Sequence, residues 1–170
     1  RASASAATSF RAPTLYQRFS EYGVAALVPE KGRNVELGLR WGDTAQQASL
    51  HLFRNNVSDL INFGDAGPCA SPFGCYANVG RARYEGARLA GKTALGATRL
   101  RASLDWQKPR DLDTGLQLAR RARKAAKVGV DVPWSGWWVE SELLATGARF
   151  DNAANTVVLS RYTLVNMSAA

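Results

Sequence analysis

The sequence has no long apolar run and very few histidines and cysteines, features on which many membrane, metal-binding and catalytic proteins depend. Its apolar stretches are short, such as residues 137–139, and a membrane-spanning helix needs roughly 18 apolar residues or more. With one histidine and two cysteines, it shows no Ser-His-Asp order, phosphate-binding glycine loop or metal-ligand cluster. We therefore expect no catalytic residues, no metal site and no cofactor, and any integral contact with a membrane must be made by strands.

Acidic residues are also scarce: 14 Asp and Glu stand against 22 Lys and Arg, giving a net charge of +8. The densest basic cluster holds Arg120, Arg121, Arg123, Lys124 and Lys127. No helix-turn-helix pattern, zinc-ligand spacing or aromatic RNA-binding strand accompanies it. We expect no nucleic-acid partner, and interpret the cluster as a strand with a basic polar face.

Both ends of the sequence resemble the interior of a longer protein. No charged leader with an apolar core precedes residues 1–6, which already have a strand-like composition. Residues 162–170 stop in the middle of an alternating run. We expect the chain to be a fragment.

The dominant pattern is a two-residue alternation of apolar and polar side chains. In one segment Leu100, Ala102 and Leu104 share a face, while Arg101, Ser103 and Asp105 share the other. The same alternation runs through residues 34–41, 125–132 and 137–146. An Arg or Lys facing mid-bilayer lipid costs about 2–4 kcal/mol in a barrel, so in a membrane the charged faces must point to an enclosed aqueous lumen.

Eight strands are predicted, at residues 1–11, 31–42, 46–62, 77–91, 97–108, 119–132, 136–149 and 160–170. Short turns fall at residues 43–45, 92–96 and 133–135, and longer loops at 12–30, 63–76, 109–118 and 150–159. Short and long connections alternate throughout, as in outer-membrane barrels with tight periplasmic turns and long external loops. The sequence therefore predicts an all-β, antiparallel up-and-down transmembrane β-barrel, present in part.

The tryptophans support this orientation, and the two cysteines bear on the compartment. Four tryptophans, Trp41, Trp134, Trp137 and Trp138, lie beside the short turns, where an interfacial aromatic belt would sit. Cys69 and Cys75 lie close together in a Gly/Pro-rich loop, which favours a local disulfide in an oxidising compartment.

A family resemblance rests on an ordered series of motifs. Residues 10–17 (FRAPTLYQ), Pro29-Glu30 and residues 34–38 (NVELG) resemble a signature of TonB-dependent outer-membrane receptors. Residues 53–61 (FRNNVSDLI) and 77–86 (ANVGRARYEG) resemble the same family at matching intervals. Residues 118–124 and 147–152 look most like its cobalamin-receptor branch.

The resemblance implies a barrel of about twenty-two strands around a plug, in the outer membrane of a Gram-negative bacterium. Residues 1–170 would then be part of that barrel domain, with the plug and the C-terminal strands absent. It also implies uptake of a scarce nutrient, most simply cobalamin, driven by TonB acting through the plug. Lipid and lipopolysaccharide would surround the wall.

The resemblance also points to substrate-binding residues. It places Arg120 and Arg121 at the start of a strand near the outer rim, with Arg120 able to reach bound ligand through its guanidinium. The alternative for both is pairing with neighbouring acids or lipopolysaccharide phosphates. Ala154 stands where the family often has tyrosine, a departure from the cobalamin pattern.

Other interpretations remain open. The same barrel could serve a siderophore or heme, and a soluble secreted β-sandwich would be a different class of binding module. Asp111 to Gly115 superficially resembles a calcium loop without the further oxygen ligands. Glu140 and Glu142 share the polar face, where they would balance cations on adjacent strands.

Overall fold

The computed structural model describes residues 1–170, except for the side chain of Val79. The described elements, in chain order, are β1 Ala2–Arg11, α1 Leu15–Phe19, β2 Glu30–Gly42, β3 Gln47–Phe63, β4 Tyr76–Leu95, β5 Thr98–Asp111, β6 Lys124–Trp134, β7 Trp137–Thr146, β8 Arg149–Phe150, β9 Val158–Leu159 and β10 Tyr162–Ala169. In the described part of the chain, no helix is long and apolar enough to cross a membrane.

Eight of the strands form one antiparallel sheet in the order β1-β2-β3-β4-β5-β6-β7-β10. Along the sheet, each strand lies next to the strand that follows it, apart from the small β8–β9 hairpin inserted after β7. Within the part of the chain that the structure describes, the sheet is open, because β1 pairs with β2 alone and β10 pairs with β7 alone. The predicted all-β, up-and-down, partial barrel is confirmed.

The register sorts side chains as the alternation predicts. Leu39, Leu50, Leu89 and Leu104 lie opposite one another on four neighbouring strands. Their face is exposed: Leu104 keeps 58% of its surface accessible, whereas the Asp131 side chain on the other face keeps 13%. The polar face, which carries the sheltered carboxylate of Asp131, is therefore assigned to the lumen, and the exposed apolar face is assigned to the outside.

This arrangement contradicts the soluble β-sandwich. A sandwich buries its apolar face against a second sheet, but among the described residues the second sheet is only the two-residue pairing of β8 with β9. The outward leucines, valines and tryptophans stay exposed.

Ion pairs between neighbouring strands stabilise the lumenal face. Arg101 of β5 pairs with Asp131 of β6, and Arg88 of β4 pairs with Asp105 of β5. Gly129 makes room for the first pair, because a Cβ there would collide with the Arg101 side chain. Oppositely charged cross-strand pairs each contribute up to about 1 kcal/mol to a sheet.

Three tight connections join strands at one end of the wall, which we call the turn end. Turn 1 spans residues 43–46, turn 2 residues 96–97 and turn 3 residues 135–136. The predicted turns at 92–96 and 133–135 are wrong in extent, because β4 continues to Leu95 and β6 to Trp134. Ser135 and Gly136 have φ angles of 50° and 86°, as a two-residue hairpin turn requires.

Four longer connections lie at the opposite, loop end. Loop 1 spans residues 12–29, loop 2 residues 64–75, loop 3 residues 112–123 and loop 4 residues 147–161. The alternation of short and long connections is confirmed. Loop 3 lies later in the chain than predicted, because β5 continues to Asp111 with Pro109 opposite Tyr84.

Three of the four predicted belt tryptophans share the outward face near the turns. Trp134 lies opposite Trp137 across turn 3, and Trp41 lies at the end of β2. Trp138 is the exception, because its register partner Pro133 is lumenal and Arg99 stacks 5.2 Å above its ring. The predicted belt is therefore wrong for Trp138.

The outward face changes character along the strands. Nearer the turn end it is an apolar zone, which includes Leu37, Leu39, Leu50, Leu52, Leu89, Leu104, Trp106, Val128 and Leu143. Nearer the loop end it is a basic zone, made of Lys31, Arg33, Arg54, Arg81, Arg83, Lys108 and Arg110.

Candidate ligand-binding site at the loop end

Buried apolar side chains gather at the loop end. Among the described residues, the buried apolar side chains are those of Leu27, Ile61, Cys75, Ala82 and Leu118. Glu30 is also buried there, and its Oε1 accepts hydrogen bonds from the Ile61 N–H (2.9 Å) and from Arg11 (3.2 Å). The loop end is thus a packed platform rather than a set of free strands.

Loops 1 and 2 pack on each other. Loop 1 contains α1, which begins with a capping box formed by Thr14 and Gln17. The Ser71 N–H of loop 2 donates to the carbonyl of Glu21 (3.0 Å), and the Tyr76 N–H to that of Tyr22 (2.9 Å). These bonds join the two loops into one unit.

Aromatic rings and a disulfide stabilise this unit. Phe63 lies edge-on to the rings of Tyr22 (5.7 Å) and Tyr76 (5.4 Å). Cys69 and Cys75 form a disulfide with their Cα atoms 5.8 Å apart. A hydrogen bond to the adjacent Glu21 carboxylate raises the pKa of Tyr22 above its ordinary value.

Loops 3 and 4 form a second unit. The Gln117 N–H donates to Asn155 Oδ1 (2.9 Å), and Asn155 Nδ2 donates back to the Gln117 carbonyl (2.8 Å). Nearby, the Arg120 N–H donates to the Phe150 carbonyl (2.6 Å), and Arg120 Nε contacts Asp151 Oδ1 at 2.7 Å.

A concavity of about 500 Å³ lies between the two units. The end of β3, the start of loop 2, loop 3 and loop 4 line it, together with Arg11 of β1 and Tyr84 of β4. Its charged members are Arg11, Arg120, Arg121, Asp65 and Asp151. Its volume falls in the range of small-molecule sites, which are usually 300–1,000 Å³.

The chemistry of the concavity combines cations with flat and apolar surfaces. Arg121 lies over the Tyr84 ring at 5.9 Å, which holds its guanidinium near the lumenal wall. Arg120 is paired with Asp151, yet its side chain remains 72% exposed. Leu118 and Ala119 add apolar surface. The arrangement suits a ligand that carries both apolar area and phosphate, carbonyl or carboxylate oxygens.

The predicted position of Arg120 and Arg121 in a strand is wrong. Both lie in loop 3, because β6 begins only at Lys124. Arg120 has a φ of 58°, in the left-handed region and not the extended one, and Gln117 Nε2 donates to the Arg121 carbonyl at 2.6 Å. These local bonds turn the chain and direct both guanidiniums toward the concavity.

Sequence reasoning missed Arg11, Tyr84 and Asp151 as members of the site. The signal for Arg11 and Tyr84 was present, because alternation already places both on the lumenal face near a long loop. Asp151 gave no comparable signal, since it depends on loop 4 folding back onto loop 3.

The acidic residues where β5 meets loop 3 stabilise the fold. Asp111 Oδ1 accepts the N–H groups of Asp113 (2.8 Å) and Thr114 (3.3 Å). Asp113 pairs with Arg81 at 3.0 Å and accepts its backbone N–H at 2.8 Å. Because these carboxylates are used in this way, the structure does not favour calcium at this loop.

Comparison with known families decides the class of the chain. The model of the TonB-dependent receptor-like β-barrel family matches residues 1–170. The chain belongs to this family. Two curated relatives are named vitamin B12 transporter BtuB: one from Photobacterium profundum is 29% identical and covers 100% of this chain, and one from Vibrio vulnificus is 28% identical and covers 98%. The chain spans only 28% and 27% of their lengths.

Solved structures of the family share the fold. The copper transporter OprC superposes with a TM-score of 0.79 at 18% identity, over 98% of this chain and 29% of its own. A ferric enterobactin receptor from Pseudomonas aeruginosa superposes with a TM-score of 0.73 at 20% identity. The match covers 99% of this chain and 30% of the receptor. The siderophore receptor PirA from Acinetobacter baumannii superposes with a TM-score of 0.72 at 18% identity. The match covers 99% of this chain and 32% of PirA. At these identities the likeness describes architecture and leaves the ligand open.

Proposed function

We propose that this chain is part of the barrel wall of an active-transport receptor in the outer membrane of a Gram-negative bacterium. The receptor binds a scarce nutrient from outside, and TonB drives its uptake through a plug domain. The family membership of the whole chain supports the receptor class, and the exposed apolar zone supports the membrane placement.

Cobalamin is the proposed ligand. The two curated relatives named as vitamin B12 transporters support this choice. The observation that carries the binding site is the concavity between the two loop units, where Arg120 and Arg121 are held beside Tyr84 and apolar surface. We propose that both guanidiniums contact oxygen atoms of the bound ligand.

A ferric siderophore is the second candidate. The concavity carries three arginines against two aspartates, and this excess of positive charge would also attract an anionic iron chelate. In that case binding should fall steeply with ionic strength, since attraction between exposed charges is screened by salt.

Equilibrium binding to the full-length receptor in detergent tests both assignments. We expect cobalamin to bind more tightly than ferric enterobactin, and Arg120→Gln and Arg121→Gln each to weaken cobalamin binding about tenfold, the loss expected for a hydrogen bond to a charged group. Arg123→Gln is the matched control, because it removes the same charge from loop 3 outside the concavity. If ferric enterobactin binds more tightly than cobalamin, the siderophore becomes the proposed ligand. If all three variants change cobalamin binding equally, Arg120 and Arg121 are not part of the binding site.

A further inference from the structure

Most of the charged side chains in the concavity are already paired. Arg120 pairs with Asp151 at 2.7 Å. Arg11 pairs at 3.2 Å with Glu30, which is buried behind the lining. When Glu30 is counted, three carboxylates balance the three arginines, so the site has no excess of positive charge.

One cation and one carboxylate of the concavity stay unpaired. Among the described residues, no ion pair involves Arg121 or Asp65. Arg121 lies against the Tyr84 ring, and both charged side chains are exposed. Arg121 belongs to loop 3 and Asp65 to loop 2, so the two free charges come from the two loop units on either side of the concavity. The site is therefore dipolar.

The backbone holds Asp65 in place. The Gly64 N–H donates to the Cys75 carbonyl (3.0 Å), and the Cys75 N–H donates to the Asp65 carbonyl (3.1 Å). These bonds continue the pairing of β3 with β4 into loop 2, and the disulfide from Cys69 to Cys75 closes the rest of the loop. Because an aspartate side chain is short, its carboxylate stays close to this fixed backbone. A charge held in this way is preorganised for recognition.

A fixed carboxylate beside a bound ligand discriminates by charge. Like charges repel more strongly where water is partly excluded, and the repulsion grows with the charge of the ligand. In ferric enterobactin the catecholate oxygens outweigh the ferric ion, so the chelate is a polyanion. Cobalamin combines a cationic cobalt–corrin centre with a phosphodiester. A ligand of this second kind offers a positive centre to Asp65 and an oxyanion to Arg121.

We propose that Asp65 determines the charge specificity of the receptor. Its carboxylate admits ligands that are neutral or zwitterionic overall and weakens the binding of polyanionic metal chelates. Arg121, across the concavity, binds an oxyanion of the same ligand. The proposal rests on the ligand-binding role proposed for the concavity, and it concerns the charge that the site accepts.

Equilibrium binding of cobalamin and of ferric enterobactin to the full-length receptor in detergent tests the proposal. Asp65→Asn removes the charge and retains the backbone bonds. We expect it to tighten enterobactin binding at least about tenfold and to change cobalamin binding less than about threefold, because the repulsion scales with ligand charge. The matched control, Glu140→Gln, removes the same charge from the lumenal face at the turn end and should leave the ratio of the two dissociation constants unchanged.

The outcomes for this proposal and for the ligand assignment are separate. If Asp65→Asn leaves the ratio of the two dissociation constants as it is in the wild type, or if Glu140→Gln changes it as much, the proposal is overturned. The ligand that the wild type binds more tightly decides only between cobalamin and the siderophore.

A second measurement needs no nutrient. Ala153 of loop 4 lines the concavity and is exposed. In a full-length receptor with Ala153→Cys, the reaction rates of an anionic and a cationic methanethiosulfonate reagent would report the local charge. Asp65→Asn should raise the ratio of the anionic to the cationic rate at least about threefold, and Glu140→Gln should not change it. An unchanged ratio in Asp65→Asn would overturn the proposal even in a receptor that binds neither nutrient.

Discussion

The two ends of this barrel wall are built from the same strands but are stabilised in different ways. At the turn end, tight hairpins fix the register, the outward face is apolar, and cross-strand ion pairs cover the lumenal face. At the loop end, buried side chains, a disulfide and two interlocked loop units stabilise the strands. The turn end therefore leaves its apolar face uncovered, whereas the loop end carries its own packed core.

The largest effect should come from a charge placed in the apolar zone. Leu104→Arg should destabilise the folded receptor by about 2–4 kcal/mol, because it places a guanidinium against lipid. Ser103→Arg, one residue away on the lumenal face, is the control and should cost much less. Urea unfolding of the receptor in lipid vesicles would measure both. If the two substitutions cost the same, the assignment of faces fails.

At the loop end, the second largest effect should come from replacing the buried carboxylate of Glu30. Glu30→Ala should cost about 1–3 kcal/mol, because it leaves the buried Ile61 N–H without an acceptor. Glu30→Gln keeps an acceptor oxygen and should cost less. The same unfolding assay in detergent, without lipid, would compare them. If Glu30→Ala lowers the free energy of unfolding no more than Glu30→Gln does, this hydrogen bond does not stabilise the loop end.

The smallest effect concerns turn 1 and depends on pH. Hydrogen bonds from the Gln46 and Ala45 N–H groups lower the pKa of Asp43 below its ordinary value of 3.8. Because the folded pKa is the lower one, this stabilisation is fully present above 3.8 and is lost as the pH falls through the folded value. The amide NMR shifts of Ala45 and Gln46 should move in that acidic range only.

Asp43→Asn supplies the control for this turn. The asparagine side chain retains an acceptor oxygen but does not titrate, so the two amide signals should stay constant with pH. If the amide signals of Ala45 and Gln46 move with pH in the variant as they do in the wild type, a group other than Asp43 causes the pH dependence.

Much of the fold was predictable because alternation is a local property. Leu100 to Trp106 shows its two faces within a few residues, and the eight long strands follow from such segments. The edges depend on detail that alternation does not contain: β4 reaches Leu95 because Gly96 and Ala97 alone make the turn. The short helix α1 and the β8–β9 hairpin were not predicted, since each is embedded in a loop.

The candidate site was predictable only in part. Arg120 and Arg121 were chosen by resemblance, and their contact with ligand remains a prediction. Their setting depends on bonds between distant segments, such as that of Gln117 with Asn155, which no local pattern reveals. The basic zone was hidden for a similar reason, because the direct opposition of Arg83 and Arg110 emerges only from the register.

Loop 3 is attached at two separate places, to strand β4 and to loop 4. Near its start, the Leu112 N–H donates to the Arg81 carbonyl at 2.7 Å and Asp113 reaches the Arg81 side chain; near its end, Arg120 reaches Phe150 and Asp151. Gly80 permits the first attachment, because a Cβ there would collide with the Asp113 carboxylate. Enlarging this one glycine should thus loosen the loop at a distance from the arginines that the same loop presents to the concavity.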